Sequence, residues 1–404
     1  MDLKSGYPFW AISNGLLHAF PPLREDLRCD VAVIGGGITG AVVADALAAG
    51  GHDVAVLERR DIGWGSTCAS TALVQYEIDT SMADLAARHG EDAAALAYRA
   101  CAQAVERIGD RAQSLGDVGG MRMRSLYLAS KPGDVATLAE EYRLRRRHGL
   151  PVARCDARTL ASRFGLRAAG ALVTRRAAGI DPYRMTYRLL ELLHRRGGSV
   201  HDRTTVTRIV PHSRGVRLET AGGASVSAKH VVLAAGYETQ AWLPERVARN
   251  RSTYAFASDP LEPAHLGALR DCMAWETARP YLYLRATQDD RVLVGGEDDA
   301  VDIPARRDAR VPRKVARLLQ RMRGLAPSLA LVPAFGWGGT FAETADGLPF
   351  FGTHPALGPR VLAAMAYGGN GITYSVIGAG LLRAHIERRT YPLARLFGFQ
   401  RLAG

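Results

Sequence analysis

Residues Asp30 to Thr71 read DVAVIGGGITGAVVADALAAGGHDVAVLERRDIGWGSTCAST. The apolar run from Val31 to Ile34 is too short for a helix and is bounded by glycine, as in a strand buried on both faces of a parallel sheet. Gly35, Gly37 and Gly40 follow with G-x-G-x-x-G spacing at the entry to an alanine-rich helix. There the first glycine permits a tight turn, the second lets the backbone approach a pyrophosphate, and the third brings helix and sheet together. The helix N-terminal amides then face the phosphates. A second strand, Val54 to Leu57, ends on Glu58, eighteen residues beyond Gly40, where a ribose-binding carboxylate is expected. Three glycines alone say little, since helix–strand turns often need them. Strand, helix, second strand and acid in register predict a dinucleotide site, with NAD and FAD equally open at this point.

A chain of 404 residues offers material for two to three domains, and 47% hydrophobic with 23% charged residues is ordinary for a globular protein. The net charge of +12 is carried by arginine, because Lys4, Lys131, Lys229 and Lys314 are the only lysines. These arginines are interspersed with acids and not gathered with aromatics into one stripe, so no nucleic-acid partner is expected. Cys29, Cys68, Cys101, Cys155 and Cys272 form no C-x-x-C pair, which argues against a disulfide framework or zinc site and suits a reducing cytoplasm. No signal peptide is expected, since prolines interrupt the first thirty residues. Val361 to Leu382 carries no charge, but Gly368-Gly369-Asn370-Gly371 in its middle predicts strand, loop and helix in place of a membrane span.

Residues 1–29 form an arm whose Tyr7, Phe9 and Trp10 are costly to leave in water. After the opening stretch, the long polar loop DIGWGSTCAST offers hydroxyls and amides to a ligand. Ser81 with Asp84 predicts a capped helix running toward Leu115, weakened at Gly90. A strand is expected over Met121 to Ala129, then a helix from Pro132 to Gly149 and another from Asp181-Pro182 to Arg196. Strands follow at about Val200 to Val210, Gly215 to Thr220 and Ser225 to Lys229, then a separate apolar run from His230 to Gly236. Alternation at Tyr281–Arg285 and Arg291–Gly295 predicts an antiparallel hairpin, followed by a helix from Pro312 to Met322.

Taken together, VIGGGITG with Glu58, the GWGSTCAST loop, VVLAAGYET (Val231 to Thr239) and DGLPFFG with GGNGITYS resemble the D-amino-acid oxidase-like family of FAD-dependent oxidoreductases over nearly the whole chain. The resemblance implies an α/β fold with a discontinuous Rossmann-type FAD domain (residues 30–115, 150–236 and 334–404). An α+β substrate domain with an antiparallel sheet (residues 116–149 and 237–333) would be inserted between its parts. It assigns FAD contacts to Gly35, Gly37, Gly40, Glu58, Arg59, Ser66, Thr67, Ser70 and Thr71, an adenine backbone contact to Val206, and further contacts to Gly236, Gly371, Ile372 and Thr373. It also implies oxidation of a C–N bond in a small amine or amino acid, by hydride transfer to flavin N5 and hydrolysis of the imine. The glycine loop entering the last helix fits independently, since its amides and dipole suit the charge of reduced flavin.

No second G-x-G-x-x-G lies in a strand–helix context, so electrons should leave to O2, a quinone or a carrier protein. Tyr281, Tyr283 and Arg285 share one strand face, and Arg285 either forks onto a substrate carboxylate or sits at the surface. Tyr76 beside Glu77, and Trp337, are candidates whose alternative is aromatic packing. Cys68 lies in the flavin loop, but noncovalent FAD is favoured: some family members carry a covalent cysteine near the C-terminus, and this chain has none after Cys272. Three alternatives stay open: a dehydrogenase of the same fold acting on amines or 2-hydroxy acids, a flavin-binding subunit without turnover, and an oxidase module of a tRNA-modification enzyme.

Overall fold

The computed structural model describes residues 2–6, 8–300 and 302–403. Tyr7 lies outside the described residues. Two sheets organise the chain. The first runs, edge to edge, Phe350–Thr353, Val361–Met365, Ser225–Leu233, Leu27–Ile34, Val54–Leu57 and Ser199–His201, parallel from Val361–Met365 onward. Its centre is the predicted opening strand, with Val31, Ala32 and Val33 fully buried between its neighbours. Helices Ile38–Ala48, Pro182–Arg195 and Gly371–Ile386 pack together on this sheet. Gly35 sits at φ +118°, where an added Cβ would lie 2.3 Å from the Ala234 carbonyl oxygen; a Cβ on Gly40 would lie 1.9 Å from the Gly35 carbonyl oxygen. The first and third glycines therefore close the strand–helix turn.

The second sheet runs Pro333–Glu343, Arg249–Ser258, Val292–Asp299, Tyr283–Ala286, Cys272–Glu276, Met121–Leu128, Gly170–Gly179 and Leu73–Gln75, with Ala153–Asp156 paired to Gly170–Gly179. All its pairs are antiparallel except Cys272–Glu276 with Met121–Leu128. Four of these strands, Leu73–Gln75, Ala153–Asp156, Gly170–Gly179 and all but the first residue of Pro333–Glu343, fall in stretches that the expected division assigned to the dinucleotide half. Except for the pairing of Ala153–Asp156 with Gly170–Gly179, their partners are distant in sequence, so no local pattern announces them. Helix Pro304–Leu325 covers one face of this sheet and cavity-facing side chains occupy part of the other.

Several boundaries shift for local physical reasons. Ser81 accepts from the Asp84 amide as expected, but Gly90 at φ +88° splits the helix into Met82–His89 and Glu91–Leu115. The strand expected near Val200–Val210 breaks into Ser199–His201 and Val206–His212, because Asp202 turns its carboxylate to the Phe20 amide and Arg203 adopts φ +46°. Ser225–Leu233 is one strand, since it pairs in parallel with Leu27–Ile34 along nearly its whole length. The helix expected from Pro312 begins at Pro304 and carries Pro312 inside it. The N-terminal arm is anchored: Phe9 and Trp10 are buried in helix Phe9–Asn14, and the Trp10 indole donates to the Ser70 carbonyl at 2.8 Å. No helix among the described residues is long and apolar enough to cross a membrane.

Candidate active site

A cavity of about 910 Å³ runs between the two sheets. One end lies over the opening turn. Gly35, Gly37, Glu58 and Arg59 form its floor, and Ser66, Thr67, Ser70 and Thr71 its side. The Glu58 carboxylate accepts from the Gly36 amide at 2.7 Å and the Arg60 amide at 2.8 Å. Burial raises its pKa, opposed by these two amides and the Arg60 charge. Arg59 and Arg60 both pair with Glu238 across the mouth of this end. Val206 and Gly236 border it too. Gly40 is not on the wall, because its place is against Gly35.

Farther along, Gly368, Gly369 and Asn370 line the cavity, and Gly371 and Ile372 bring the N-terminus of helix Gly371–Ile386 to it. Thr373, the next residue, turns away and donates its hydroxyl to the Gln75 carbonyl at 3.1 Å.

These residues fit an elongated dinucleotide. Two helix N-termini face the same cavity, where their unpaired amides favour anionic groups. An added Cβ on Gly37 would come within 3.0 Å of Thr67 Oγ1, so the turn is lined by bare backbone. The Ser66 hydroxyl on the wall is buried without a hydrogen-bond partner, as expected of a donor that a ligand satisfies.

The far end is walled by the second sheet. Tyr127, Trp275, Tyr283, Gly295, Ala255 and Trp337 are directly opposed across six strands and so share a face. Tyr283 lies over Gly295, where a Cβ would sit 2.3 Å from the phenol ring. Trp275 stacks on Tyr127 with centroids 3.9 Å apart and meets Tyr281 edge-on at 6.1 Å. Trp275, Tyr281 and Tyr283 all line the cavity, with Asp79 and Asp298 among them. The Asp79 carboxylate accepts from the Gly369 amide at 2.7 Å and the Tyr281 hydroxyl at 3.3 Å, tying this wall to the glycine loop.

Of Tyr76, Tyr283, Arg285 and Trp337, Tyr283 alone reaches the cavity, beside Tyr281. Burial pushes its phenol up to about 12, so it stays neutral. Arg285 does share the face, but one row on, opposite Met273 and Leu293. Its guanidinium is buried and donates to the carbonyls of Thr71 at 2.7 Å, Ile180 at 2.6 Å and Ala286 at 3.3 Å. It braces the 61–71 loop from beneath and has no fork left for a carboxylate. Arg285→Met is therefore expected to lower stability by roughly 1.5–3 kcal/mol, the usual worth of charged hydrogen bonds, with substrate KM unchanged; denaturation midpoints and steady-state kinetics check this.

Tyr76 is buried against Tyr98 beneath the Arg145 guanidinium, and Trp337 donates its indole N–H to the Ala69 carbonyl at 2.9 Å. Both pack away from the cavity. The Cys68 thiol is likewise buried off the wall, donates to the Gly65 carbonyl at 3.2 Å, and is pushed up to about 12 by burial. Sequence patterns passed over Asp79, Trp275 and Asp298. Asp298 reaches the cavity only through a bulge: Ser252 pairs with Asp299 while Tyr254 pairs with Gly296, leaving one extra residue on the second strand. Glu297 takes φ +57° there, which flips the alternation and turns Asp298 inward.

A family model described as FAD dependent oxidoreductase (DAO) matches residues 30–384. The chain belongs to this family. It is thus a FAD-dependent oxidoreductase. The gamma-glutamylputrescine oxidoreductase of Escherichia coli (strain K12) is 28% identical over 403 residues, covering 94% of this chain and 89% of that protein. A glycine oxidase of Geobacillus kaustophilus (strain HTA426) is 27% identical over 379 residues, covering 90% and 93%. The crystal structure of glycine oxidase from Geobacillus kaustophilus superposes with a TM-score of 0.78 at 22% identity, covering 93% of this chain and 99% of that one. The Rossmann-type half and the antiparallel half of this flavoenzyme are the two sheets described above.

Proposed function

We propose that this DAO-family enzyme oxidises the C–N bond of a small amine or amino acid, the imine being hydrolysed afterwards and O2 taking the electrons. Bound in the cavity, FAD would supply the two-electron acceptor at N5. Gly35, Gly37, Glu58, Arg59, Ser66 and Thr67 would hold its nucleotide part, and the turn at Gly371 and Ile372 would set amides where reduced flavin is negative. The buried Cys68 thiol supports a noncovalent complex.

The observation that carries this reading is the continuity of the cavity from Glu58, past the Gly371 helix end, to the aromatic wall of Trp275, Tyr281 and Tyr283. A substrate between that wall and the glycine turn would be held in a dry slot. Such positioning and exclusion of water is most of what hydride removal from an amine needs. Asp79 and Asp298 are the carboxylates on hand to keep or release the amine proton.

The test is anaerobic mixing of the holoprotein with glycine, sarcosine, D-amino acids, prolines, polyamines and 2-hydroxy acids, followed by air. Bleaching of the flavin by a nitrogen compound, with peroxide formed on reoxidation, is expected. Bleaching by 2-hydroxy acids alone would overturn the C–N assignment, and flavin that stays reduced in air would overturn the oxidase assignment.

A further inference from the structure

We propose that the aromatic end of the cavity selects a cationic amine bearing an uncharged oxygen acceptor, such as an amino amide, over an amino acid with a free carboxylate. Asp298 and the Trp275 indole N–H are the selecting groups. This rests on the C–N oxidation reading and narrows its substrate class.

The charges on this wall point one way. Asp79 and Asp298 are both carboxylates on the cavity surface, and Asp298 Oδ1 is buried without a hydrogen-bond partner. A buried acceptor in that state calls for a donor, and a cation satisfies it best. Three aromatic rings flank the same space, a setting that favours a positive group.

A carboxylate has no comparable host. Arg285 is consumed by three backbone carbonyls beneath the loop. Arg279 is exposed and does not line the cavity; its guanidinium lies 4.7 Å from the centroid of the Tyr281 ring and donates to the Asp79 carbonyl. Lys314 is on the opposite face of the sheet, bound to Asp299 at 3.0 Å. The arginines that do line the cavity are Arg59 and Arg60, paired with Glu238 at the nucleotide end, and the exposed Arg246, whose Nε donates to the Ala248 carbonyl at 3.1 Å. A substrate carboxylate near Trp275 would thus face two like charges and no guanidinium left to pair with it.

Trp275 supplies the second, independent demand. Its side chain is 3% exposed, it lines the cavity, and its Nε1–H has no hydrogen-bond partner. An indole N–H can only donate, so a ligand there must present an acceptor. A neutral carbonyl satisfies that donor without bringing a negative charge beside Asp79 and Asp298.

Protonation gives an additional handle. The Asp298 pKa is raised to about 6, chiefly by burial, with Glu343 and Asp79 adding to the rise and Thr253 and Lys314 opposing it. The neutral phenol of Tyr283 also faces it. Cation binding should therefore hold above about pH 6 and weaken as the pH falls through it.

The experiment uses the FAD-loaded protein in two arms. In the first, anaerobic flavin reduction is compared for the matched pairs glycinamide and glycine, and alaninamide and alanine in both configurations. In the second, tetramethylammonium and acetate, which cannot be oxidised, are titrated calorimetrically. Expected results are amides at least about tenfold more effective than acids, and tetramethylammonium binding that Asp298→Asn weakens by about tenfold or more, as befits a buried charge pair. Trp275→Phe, which keeps an aromatic ring and removes the N–H, should narrow the amide preference while weakening tetramethylammonium binding far less than Asp298→Asn does; it decides the matter if Asp298→Asn does not fold. Acids equal to or better than amides, tighter binding of acetate than of tetramethylammonium, or an Asp298→Asn variant that binds tetramethylammonium unchanged would each overturn the selection. If no amine or amino acid of any kind reduces the flavin, the C–N reading fails, and the calorimetric arm still judges the charge preference.

Discussion

Gly37→Val is expected to give a folded protein without bound FAD. Gly37 has φ −84° and ψ −177°, an extended conformation open to any residue, so backbone strain is not the issue. The added Cβ meets only Thr67 Oγ1 at 3.0 Å, a hydroxyl that can shift by a few tenths of an ångström. The rest of the isopropyl group then fills the space where a pyrophosphate must approach the backbone. Circular dichroism should match the wild type while the flavin absorbance is lost. Gly40→Ala is the contrasting control: its Cβ falls 1.9 Å from the Gly35 carbonyl oxygen, so helix and strand must separate and the protein should fail to fold. Stoichiometric FAD in Gly37→Val would refute the placement of the pyrophosphate.

Arg145→Met should destabilise the protein by about 3–5 kcal/mol, the usual cost of stranding a buried charge partner. Arg145 is fully buried between Glu141 at 2.8 Å and Glu77 at 3.5 Å, with its guanidinium over the rings of Tyr76 and Tyr98. Glu141 in turn accepts from the first amides of helix Met82–His89, at Met82 and Ala83. Removing the cation leaves two carboxylates in an apolar setting. Replacing Glu77 and Glu141 by Gln in the same variant should recover much of the loss. A denaturation midpoint close to wild type for Arg145→Met alone would contradict this account.

The contrast between these two sites shows what the sequence could disclose. The glycine turn was legible because its requirements are local: a strand, three glycines, a helix and Glu58 lie within thirty residues. The 61–71 loop and the Gly371 turn were legible for the same reason. Arg285 shows the limit. Strand alternation correctly placed it on the face of Tyr283, yet one row along that face is the underside of the 61–71 loop and not the cavity. Tyr76 and Glu77 looked like a site because they follow that loop, whereas their partner Arg145 lies on helix Asp134–Arg147, far along the chain. Asp298 was hidden most completely, since a single extra residue at Glu297 reverses which side chains face inward. Trp275 depended on a parallel pairing with Met121–Leu128, nearly 150 residues away.

The central claim is that this enzyme removes a hydride from carbon bearing nitrogen and delivers the electrons to oxygen. Its most direct measurement is product stoichiometry with whichever nitrogen compound bleaches the flavin fastest. One carbonyl, one amine or ammonia (held in the same molecule when the substrate is cyclic) and one peroxide per substrate consumed is the predicted result. Turnover that yields a carbonyl at a carbon that bore oxygen, with every C–N bond of the substrate intact, or that proceeds only when a quinone replaces oxygen, would contradict it.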